Sequence, residues 1–291
     1  MLLIGGGKLI TRDSAKPFIE DGAVLCDGRL IKEVGKTSDL KAKYKDAEFI
    51  DAKGSIIMPA FINVHEHIYS AMARGFSING YNPKGFLEIL DGMWWTIDRN
   101  LTLEQTKQSA MATYIESIKN GVTTVFDHHA SFGHIEGSLF AIEEAAKTMG
   151  VRTSLCYEVS DRDGEAKSKA SIKENLDFIK HAMADKTDMI KGMMGMHASF
   201  TISDKTMEAC MKDLPDGIGC HIHVAEGIED LHACLKDHGK RVVDRLFDWK
   251  VLGPHTLLVH CIYVNPHEMD LIKETDTMTS HNPESNMGNA C

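Results

Sequence analysis

Two histidines, His65 and His67, lie one residue apart at the end of an apolar run that starts at Ile56. If this run is a β-strand, both side chains point to the same side, because successive strand residues alternate between faces. Two neighbouring neutral imidazoles suit zinc, iron or manganese. The same spacing is compatible with two histidines that only pack or face solvent, so the pair alone does not establish a metal site.

Other predicted strands also end in side chains that can bind a metal or transfer protons. These residues are Asp127, His128, His129, Glu158, His197, His221, His223, His260 and His281. A single strand-end histidine is more often packed than functional. The predicted strand bodies, in contrast, carry almost no histidine, and this concentration at strand ends favours a shared functional site.

A third ligand for the His65–His67 pair is expected on the predicted strand that contains His221 and His223. Both of these side chains share one face, and His223 lies nearer the strand end, so His223 is the better candidate. Glu226 follows three residues later and could reach a substrate. A solvated loop acid or a helix N-terminal residue is the alternative interpretation of Glu226.

The elements that would position these residues alternate between strands and helices from residue 56 onward. Seven strands are predicted, at residues 56–64, 122–126, 151–159, 190–196, 218–224, 256–264 and 277–281. Helical sequence follows all but the last, at 101–120, 138–149, 165–184, from 204, at 229–249 and at 266–275. Apolar strands separated by helices indicate a parallel sheet covered by helices. We therefore predict an α/β fold, a (β/α)8 TIM-type barrel that lacks its last unit, over residues 58–291. An open dinucleotide-binding sheet is the alternative, but no G-x-G-x-x-G opens a helix.

Residues 1–57 are predicted to form a separate, small β-rich domain. Its short strand-like runs cover residues 2–4, 8–11, 22–26 and 30–34, and Asp27-Gly28 is a hairpin signal between the last two.

Within the barrel, residues 76–98 are expected to form a long loop that carries Trp94 and Trp95. Long loops in compact domains often bind ligands, and these rings together with Phe86 could form a flat apolar wall, although core packing explains them equally well.

Composition excludes several classes of function. The chain has 291 residues with 32 basic and 42 acidic side chains, a net charge of −10. An acidic chain without a basic cluster argues against a nucleic-acid or anionic-membrane surface. No apolar run is long enough to span a membrane. The seven cysteines are scattered and contain no C-x-x-C, which favours reduced thiols and a cytoplasmic location.

Five segments together resemble the motifs of a known family. They are MPAFINVHEHIYSAMARG, MHASF, CHIHVAE, LVHCIYV and HNPESNM. In this order they are similar to the metal-dependent amidohydrolases of the cytosine, guanine and adenosyl-homocysteine deaminase branch. The segments MWWTIDRNL and TTVFDHHAS most resemble SsnA-type aminohydrolases. The resemblance extends over essentially the whole chain, and its motifs are specific in combination.

The resemblance implies roles for individual residues. His65, His67 and His223 would bind one divalent metal, for which zinc is preferred and iron or manganese are alternatives. Glu226 would transfer protons and His260 would assist the attacking water. The expected substrate contacts are His197, Trp94, His128, His281 and Ser285.

The sequence also departs from the family pattern. Ala60 replaces the usual glycine, which we expect to be harmless, and the strand-4 position that holds a modified lysine in two-metal relatives is His197, so we predict a single metal. The family's fourth ligand and principal base is an aspartate after strand 8. That aspartate, strand 8 and the C-terminal strands that complete the N-terminal sheet into a composite β-sandwich are missing. We therefore interpret the chain as a fragment of a longer product.

These observations predict hydrolytic deamination of a small amino-substituted N-heterocycle, such as a purine, a pyrimidine or a triazine-like ring, by a metal-activated water. Hydrolysis of a cyclic amide or of a carbon–halogen bond on the same scaffold is an alternative. A second alternative is a catalytically inactive chain that binds a metal or a partner. We expect no nucleic-acid or membrane partner, and a homodimer is compatible with the sequence.

Overall fold

The computed structural model describes residues 1–289 of the chain. It divides into two compact units, of which the first covers Met1–Phe61 and the second begins at Ile62. The sequence placed this boundary after residue 57. Each unit has its own hydrophobic core, and all the predicted site residues belong to the second.

The first unit is a five-stranded sheet with one short helix. Its strands are β1 (Leu2–Ile10), β2 (Phe18–Asp27), β3 (Leu30–Lys36), β4 (Glu48–Asp51) and β5 (Ile56–Ile57), and its helix is α1 (Thr37–Lys43). The strand order is β3-β2-β1-β4, and β5 also pairs with β1. Two predicted strands, 2–4 and 8–11, are therefore one strand, β1, with irregular pairing between Ile4 and Leu9. The hairpin signal is confirmed: Asp27 pairs with Leu30, and Gly28 has a φ of 60°, which favours glycine.

The second unit contains the alternating α/β pattern. Its strands are β6 (Phe61–Glu66), β7 (Val122–His129), β8 (Arg152–Tyr157), β9 (Ile190–Gly192), β10 (Met194–Ala198), β11 (Cys220–Val224), β12 (Leu257–His260) and β13 (Met278–Ser280). They form two four-stranded sheets, in the orders β6-β7-β8-β9 and β10-β11-β12-β13. The pairs β7–β8, β8–β9, β10–β11, β11–β12 and β12–β13 are parallel. One parallel bridge, Val159 with Met196, joins the two sheets. Only Met193 separates β9 from β10, so these two strands correspond to the single strand predicted at 190–196.

Helices connect these strands. They are α2 (Phe86–Ile89), α3 (Trp95–Asn100), α4 (Leu103–Lys119), α5 (Ser138–Met149), α6 (Glu165–Ala184), α7 (Asp204–Lys212), α8 (Ile228–His238), α9 (Val242–Asp248), α10 (Pro266–Glu274) and α11 (Pro283–Gly288). Two short 3-10 turns cover Ile68–Ala73 and Ser199–Thr201, and one π-helical turn covers Leu90–Trp94. None of the described helices is long and apolar enough to cross a membrane.

Three further sequence-based predictions of elements were wrong. The strand predicted at 56–64 is divided into β5, which pairs with β1, and β6. The single helix predicted at 229–249 is two helices, α8 and α9, because Gly239 adopts a left-handed φ of 66° and ends α8. The predicted long loop 76–98 contains α2, the π-helical turn and the start of α3. A capping box starts α4: the Thr102 and Gln105 side chains each accept a hydrogen bond from the other residue's backbone N–H.

Candidate active site

Three histidines from two sheets converge at the carboxyl ends of their strands. His65 and His67 lie at the end of β6, and His223 lies in β11. One ring nitrogen of each lies within 4.8 Å of the others. The shortest separation, 3.1 Å, joins Nε2 of His67 to Nε2 of His223. The tertiary structure therefore brings together the three residues that the sequence suggested as ligands.

The backbone fixes which nitrogens of two of these rings are free. Nδ1 of His67 lies 2.8 Å from the carbonyl oxygen of His128, and Nδ1 of His223 lies 2.9 Å from that of His197. A carbonyl oxygen only accepts hydrogen bonds, so each Nδ1 must carry the hydrogen. In the neutral rings, Nε2 of His67 and of His223 then expose lone pairs to each other.

This arrangement fits a divalent metal ion. Burial lowers the pKa of His67 to about 4 and that of His223 well below its ordinary value, so both rings are neutral near pH 7. Two facing lone pairs repel unless a cation lies between them. Tetrahedral zinc with bonds of about 2.05 Å separates its ligand nitrogens by about 3.3 Å, close to the distance in the structure. Hydrogen bonds from the far nitrogen of each ring to a carbonyl are typical of metal-binding histidines.

A second histidine on β11 contacts the candidate ligand His65. Nε2 of His221 lies 2.9 Å from Nδ1 of His65, which leaves Nε2 of His65 for a metal. His221 is 1% exposed and therefore lies deeper than the cavity surface. Its predicted position, one layer below His223, agrees with this placement.

The structure corrects the placement expected for His128. This side chain is fully buried, and its Nε2 lies 3.0 and 3.1 Å from the carbonyl oxygens of Met196 and His221. It does not line the cavity in front of the histidine cluster. His128 thus supports the strands beneath the site, because its ring bridges β10 and β11, and it has no surface with which to contact a substrate.

Glu226 and His260 form a pair beside the three candidate metal ligands. Oε2 of Glu226 lies 3.4 Å from Nε2 of His260. Burial raises the pKa of Glu226 above its ordinary value, which favours the protonated carboxyl group that a general acid needs. Left-handed φ values at Ala225 (47°) and His260 (72°) turn the chain at the ends of β11 and β12. Such strained residues persist where the surrounding structure holds them, and they are frequent at active sites.

Two asparagines that the sequence analysis did not single out contact this pair. Nδ1 of His260 lies 2.7 Å from Oδ1 of Asn286, and Nδ2 of Asn289 donates to Oε1 of Glu226 over 2.9 Å. Both belong to the last described turn, α11 and the residue after it. The segment HNPESNM was noted for its resemblance, but nothing in its local pattern shows what an asparagine contacts.

Glu158 is a further buried acid that received no role from the sequence. It follows β8, is 3% exposed and lies 3.5 Å from His128 and 3.8 Å from Arg162. Burial alone would raise the pKa of Glu158, but His197, His128 and Arg162 together lower it below its ordinary value. The only sequence feature that could have indicated a role for Glu158 is its position after β8, since other strands also end in polar residues.

A cavity of about 980 Å³ opens above these groups. His197, His281, Ser285 and Trp94 line it, as the sequence predicted for substrate contacts. The aromatic wall consists of Tyr81, Phe86, Trp94 and Trp95. Four glutamates also line the cavity, whereas no described lysine or arginine does; the acids are Glu66, Glu158, Glu226 and Glu284. The cavity therefore suits a flat, apolar and uncharged or cationic molecule.

The Amidohydrolase family model matches residues 56–289. The chain belongs to the amidohydrolase family. The resemblance to amidohydrolases inferred from the five segments is thereby confirmed at the level of the family, which is metal-dependent. The matched range contains every residue of the site described above.

Several proteins that are similar to this chain are named as deaminases or as a chlorohydrolase. The chain is 30% identical to a 5'-deoxyadenosine deaminase of Methanosarcina mazei over 293 aligned positions, which cover 98% of the chain and 63% of that relative. The chain thus spans less than two thirds of the length of this curated relative. Guanine deaminase of E. coli has a similar structure, with a TM-score of 0.82 at 21% identity over 99% of this chain and 69% of that one. Atrazine chlorohydrolase of Arthrobacter aurescens, solved in complex with zinc, has a TM-score of 0.81 at 22% identity over 99% and 67%. At these identities the two solved structures support the α/β fold of the chain.

Proposed function

We propose that this amidohydrolase is a metal-dependent aminohydrolase that deaminates a small N-heterocycle. The observation that carries the proposal is the pair of unprotonated Nε2 atoms of His67 and His223, 3.1 Å apart, with Glu226 nearby at the floor of an aromatic-lined cavity. The deaminase names of its relatives support the reaction type. We further propose one metal ion per chain, held by His65, His67 and His223, with zinc as the preferred ion.

Each group of residues in the site has a separate role in the proposed reaction. A bound divalent metal would lower the pKa of a coordinated water toward neutrality and polarise the substrate. Glu226 would give its proton to the ring nitrogen next to the attacked carbon, then take the proton of the attacking oxygen and pass it to the leaving amine. The proton that the attacking water lost would return Glu226 to its acid form. Burial raises the pKa of Glu226, which favours this acid form. His260, which lies beside Glu226, would assist the attacking water. The aromatic wall holds the ring flat and excludes water from it.

The lining of the cavity defines the substrate class more closely. Trp94, Trp95, Phe86 and Tyr81 favour a planar ring, and the glutamates disfavour an anionic substituent because like charges repel. We therefore propose an uncharged amino-heterocycle, such as an adenine nucleoside without phosphate. His197, His281 and Ser285 would make its polar contacts.

Ammonia release tests this function. The zinc-loaded 291-residue chain is incubated with adenosine, 5'-deoxyadenosine, AMP, guanine, cytosine and a chlorotriazine, and ammonia and chloride are measured separately. The expected result is ammonia release from at least one uncharged amino-heterocycle, with little from AMP. Chloride release alone would favour carbon–halogen hydrolysis, and one equivalent of bound zinc with neither product would favour a metal-binding chain without this activity.

The matched variant for this assay is His65→Ala. We expect it to lose most of its metal and its ammonia release together, because the substitution removes one of three imidazole ligands. Full metal stoichiometry in a folded His65→Ala variant would refute the ligand assignment. Exposed His267, which contacts Asp244 on α9, provides the control His267→Gln, which should bind metal normally.

The remaining expectations are also proposals. We propose that β6–β13 belong to a (β/α)8-type barrel, and that the protein acts in the cytoplasm and can form a homodimer. The six described cysteines are all free thiols, which supports a reducing compartment. Light scattering coupled to size-exclusion chromatography measures the oligomeric state, and a strictly monomeric particle at micromolar concentration would contradict the homodimer.

A further inference from the structure

We propose that Asn286 and Asn289 are positioning residues that determine through which atoms His260 and Glu226 exchange protons. The inference rests on the proposed function, since it assigns these two asparagines to the same site. Asn286 lies in α11 and Asn289 directly follows it. Asn286 forms a hydrogen bond with His260 at the end of β12, and Asn289 forms one with Glu226 after β11.

Asn286 determines the tautomer of His260. The contact joins Oδ1 of Asn286 to Nδ1 of His260 over 2.7 Å. Because an amide oxygen only accepts, Nδ1 carries the hydrogen, and Nε2 of the neutral ring is left as the acceptor. Both residues are 7% exposed, so water competes little for this hydrogen bond. Without Asn286, both tautomers would be available to the ring.

Asn289 acts on the other member of the pair. Its Nδ2 donates to Oε1 of Glu226 over 2.9 Å, which occupies this oxygen as an acceptor. The second oxygen, Oε2, faces Nε2 of His260 at 3.4 Å. A proton on Glu226 is therefore directed to Oε2, the oxygen that faces His260.

The spacing of the two asparagines matches this double role. Residues three apart on a helix lie on the same side, so one turn can present both amides to one pair of acid–base groups. Pro283 starts this turn, and its fixed φ is suited to the first helical position. The two hydrogen bonds are complementary: Asn286 makes Nε2 of His260 an acceptor, and Asn289 leaves Oε2 of Glu226 as the donor. The two atoms lie 3.4 Å apart, so a proton can pass between Oε2 and Nε2 once they approach to hydrogen-bond distance.

The first test reads the tautomer directly and does not depend on activity. Zinc-loaded chains labelled with nitrogen-15 in histidine are compared by NMR, and the His260 signals are assigned from His260→Gln. The wild-type chain should carry hydrogen on Nδ1 of His260. Asn286→Asp keeps the acceptor and should keep this tautomer, whereas Asn286→Leu should give a mixture or the other tautomer. An unchanged tautomer in folded Asn286→Leu would overturn the role of Asn286.

The second test is kinetic and includes a control on the same helix. Asn286→Leu and Asn289→Leu should each lower kcat by roughly 10- to 100-fold with little change in KM, because proton transfer is a catalytic and not a binding step. Asn286→Asp should restore most of kcat. The control Met287→Gln changes a residue that is 77% exposed and does not line the cavity, and it should leave kcat unchanged.

The outcomes of the two tests separate the inference from the function on which it rests. If the wild-type chain released no ammonia, the proposed function would fail, and the NMR comparison would still decide the role of Asn286. If the wild-type chain were active and both leucine variants kept full kcat, the function would stand and the positioning role would be wrong. Equal loss of kcat in Asn286→Asp and Asn286→Leu would also contradict it.

Discussion

His221 contacts the predicted ligand His65 but is not itself a predicted ligand. Substituting His221 therefore tests the metal site without removing a ligand. Its Nε2 lies 2.9 Å from Nδ1 of His65, and the two ring centroids lie 5.1 Å apart. His221→Phe keeps a ring of similar shape and removes the nitrogen. Loss of such a supporting hydrogen bond typically weakens metal binding by about 10- to 100-fold. The variant should therefore fold, but bind zinc more weakly.

The same change predicts a loss of metal-dependent stability. At a zinc concentration 100 times the wild-type Kd, bound metal stabilises the fold by about 2.7 kcal/mol. A 10-fold weaker site at this concentration contributes about 1.4 kcal/mol, and a 100-fold weaker site about 0.4 kcal/mol. The difference, about 1.3 to 2.3 kcal/mol, should appear in urea unfolding with zinc and be absent with a chelator.

Competition with a chromophoric chelator measures the affinity itself. His267→Gln serves as the matched control, because this histidine is on the exposed side of α10 and should not affect zinc binding. If folded His221→Phe bound zinc as tightly as the wild-type chain, His65 would not depend on His221 for its orientation. The assignment of Nε2 of His65 as the ligand atom would then have to be abandoned.

Three further substitutions test the site and the scaffold. Glu226→Gln should lower kcat by about 10²- to 10⁴-fold while metal stoichiometry stays at the wild-type level; ammonia release and metal analysis check this, and a loss under tenfold would exclude Glu226 as the principal acid. Buried Arg245 donates to the carbonyls of Ser199 and Ile202, so Arg245→Met should cost about 2–4 kcal/mol in urea unfolding, and an unchanged midpoint would contradict that role. Thr102→Ala removes a confirmed helix cap and should cost about 1 kcal/mol, whereas no measurable cost would mean that the capping box adds little.

The element pattern was largely accessible from the sequence. The helices α5 and α6 have the predicted bounds, Ser138–Met149 and Glu165–Ala184, because their amphipathic periodicity and the glycine after α5 are local signals. The boundary between α8 and α9 was missed because the apolar periodicity continues across Gly239. The helical turns within 76–98 were missed because this segment lacks a regular period and contains glycine and proline at several positions.

The chemistry of the site divides in the same way. Residue type and position near strand ends were sufficient to propose His65, His67, His223 and Glu226 as candidates, because parallel strands bring their carboxyl ends to one edge. The role of His260 came from the family resemblance. They were not sufficient for His128, which has the same position on its strand as a functional residue but is buried beneath the site. Whether a strand-end histidine faces a cavity or the core depends on the neighbouring strands, and these come from distant parts of the chain.

The sequence by itself determined which side chains could bind a metal or transfer protons, and it determined the alternating strands and helices that carry them. Both follow from residue type and spacing, which are local properties. Only the tertiary structure decided which nitrogen of each ring is free. His67 and His223 owe their unprotonated Nε2 atoms to the backbone carbonyls of His128 and His197, and a carbonyl has no sequence signature. The contacts of Asn286 and Asn289 could not be predicted from the sequence either. Asn286 lies 26 positions from His260 in the chain, and Asn289 lies 63 positions from Glu226. Hydrogen-bond direction depends on such distant partners, and it sets the chemistry that the same side chains can perform.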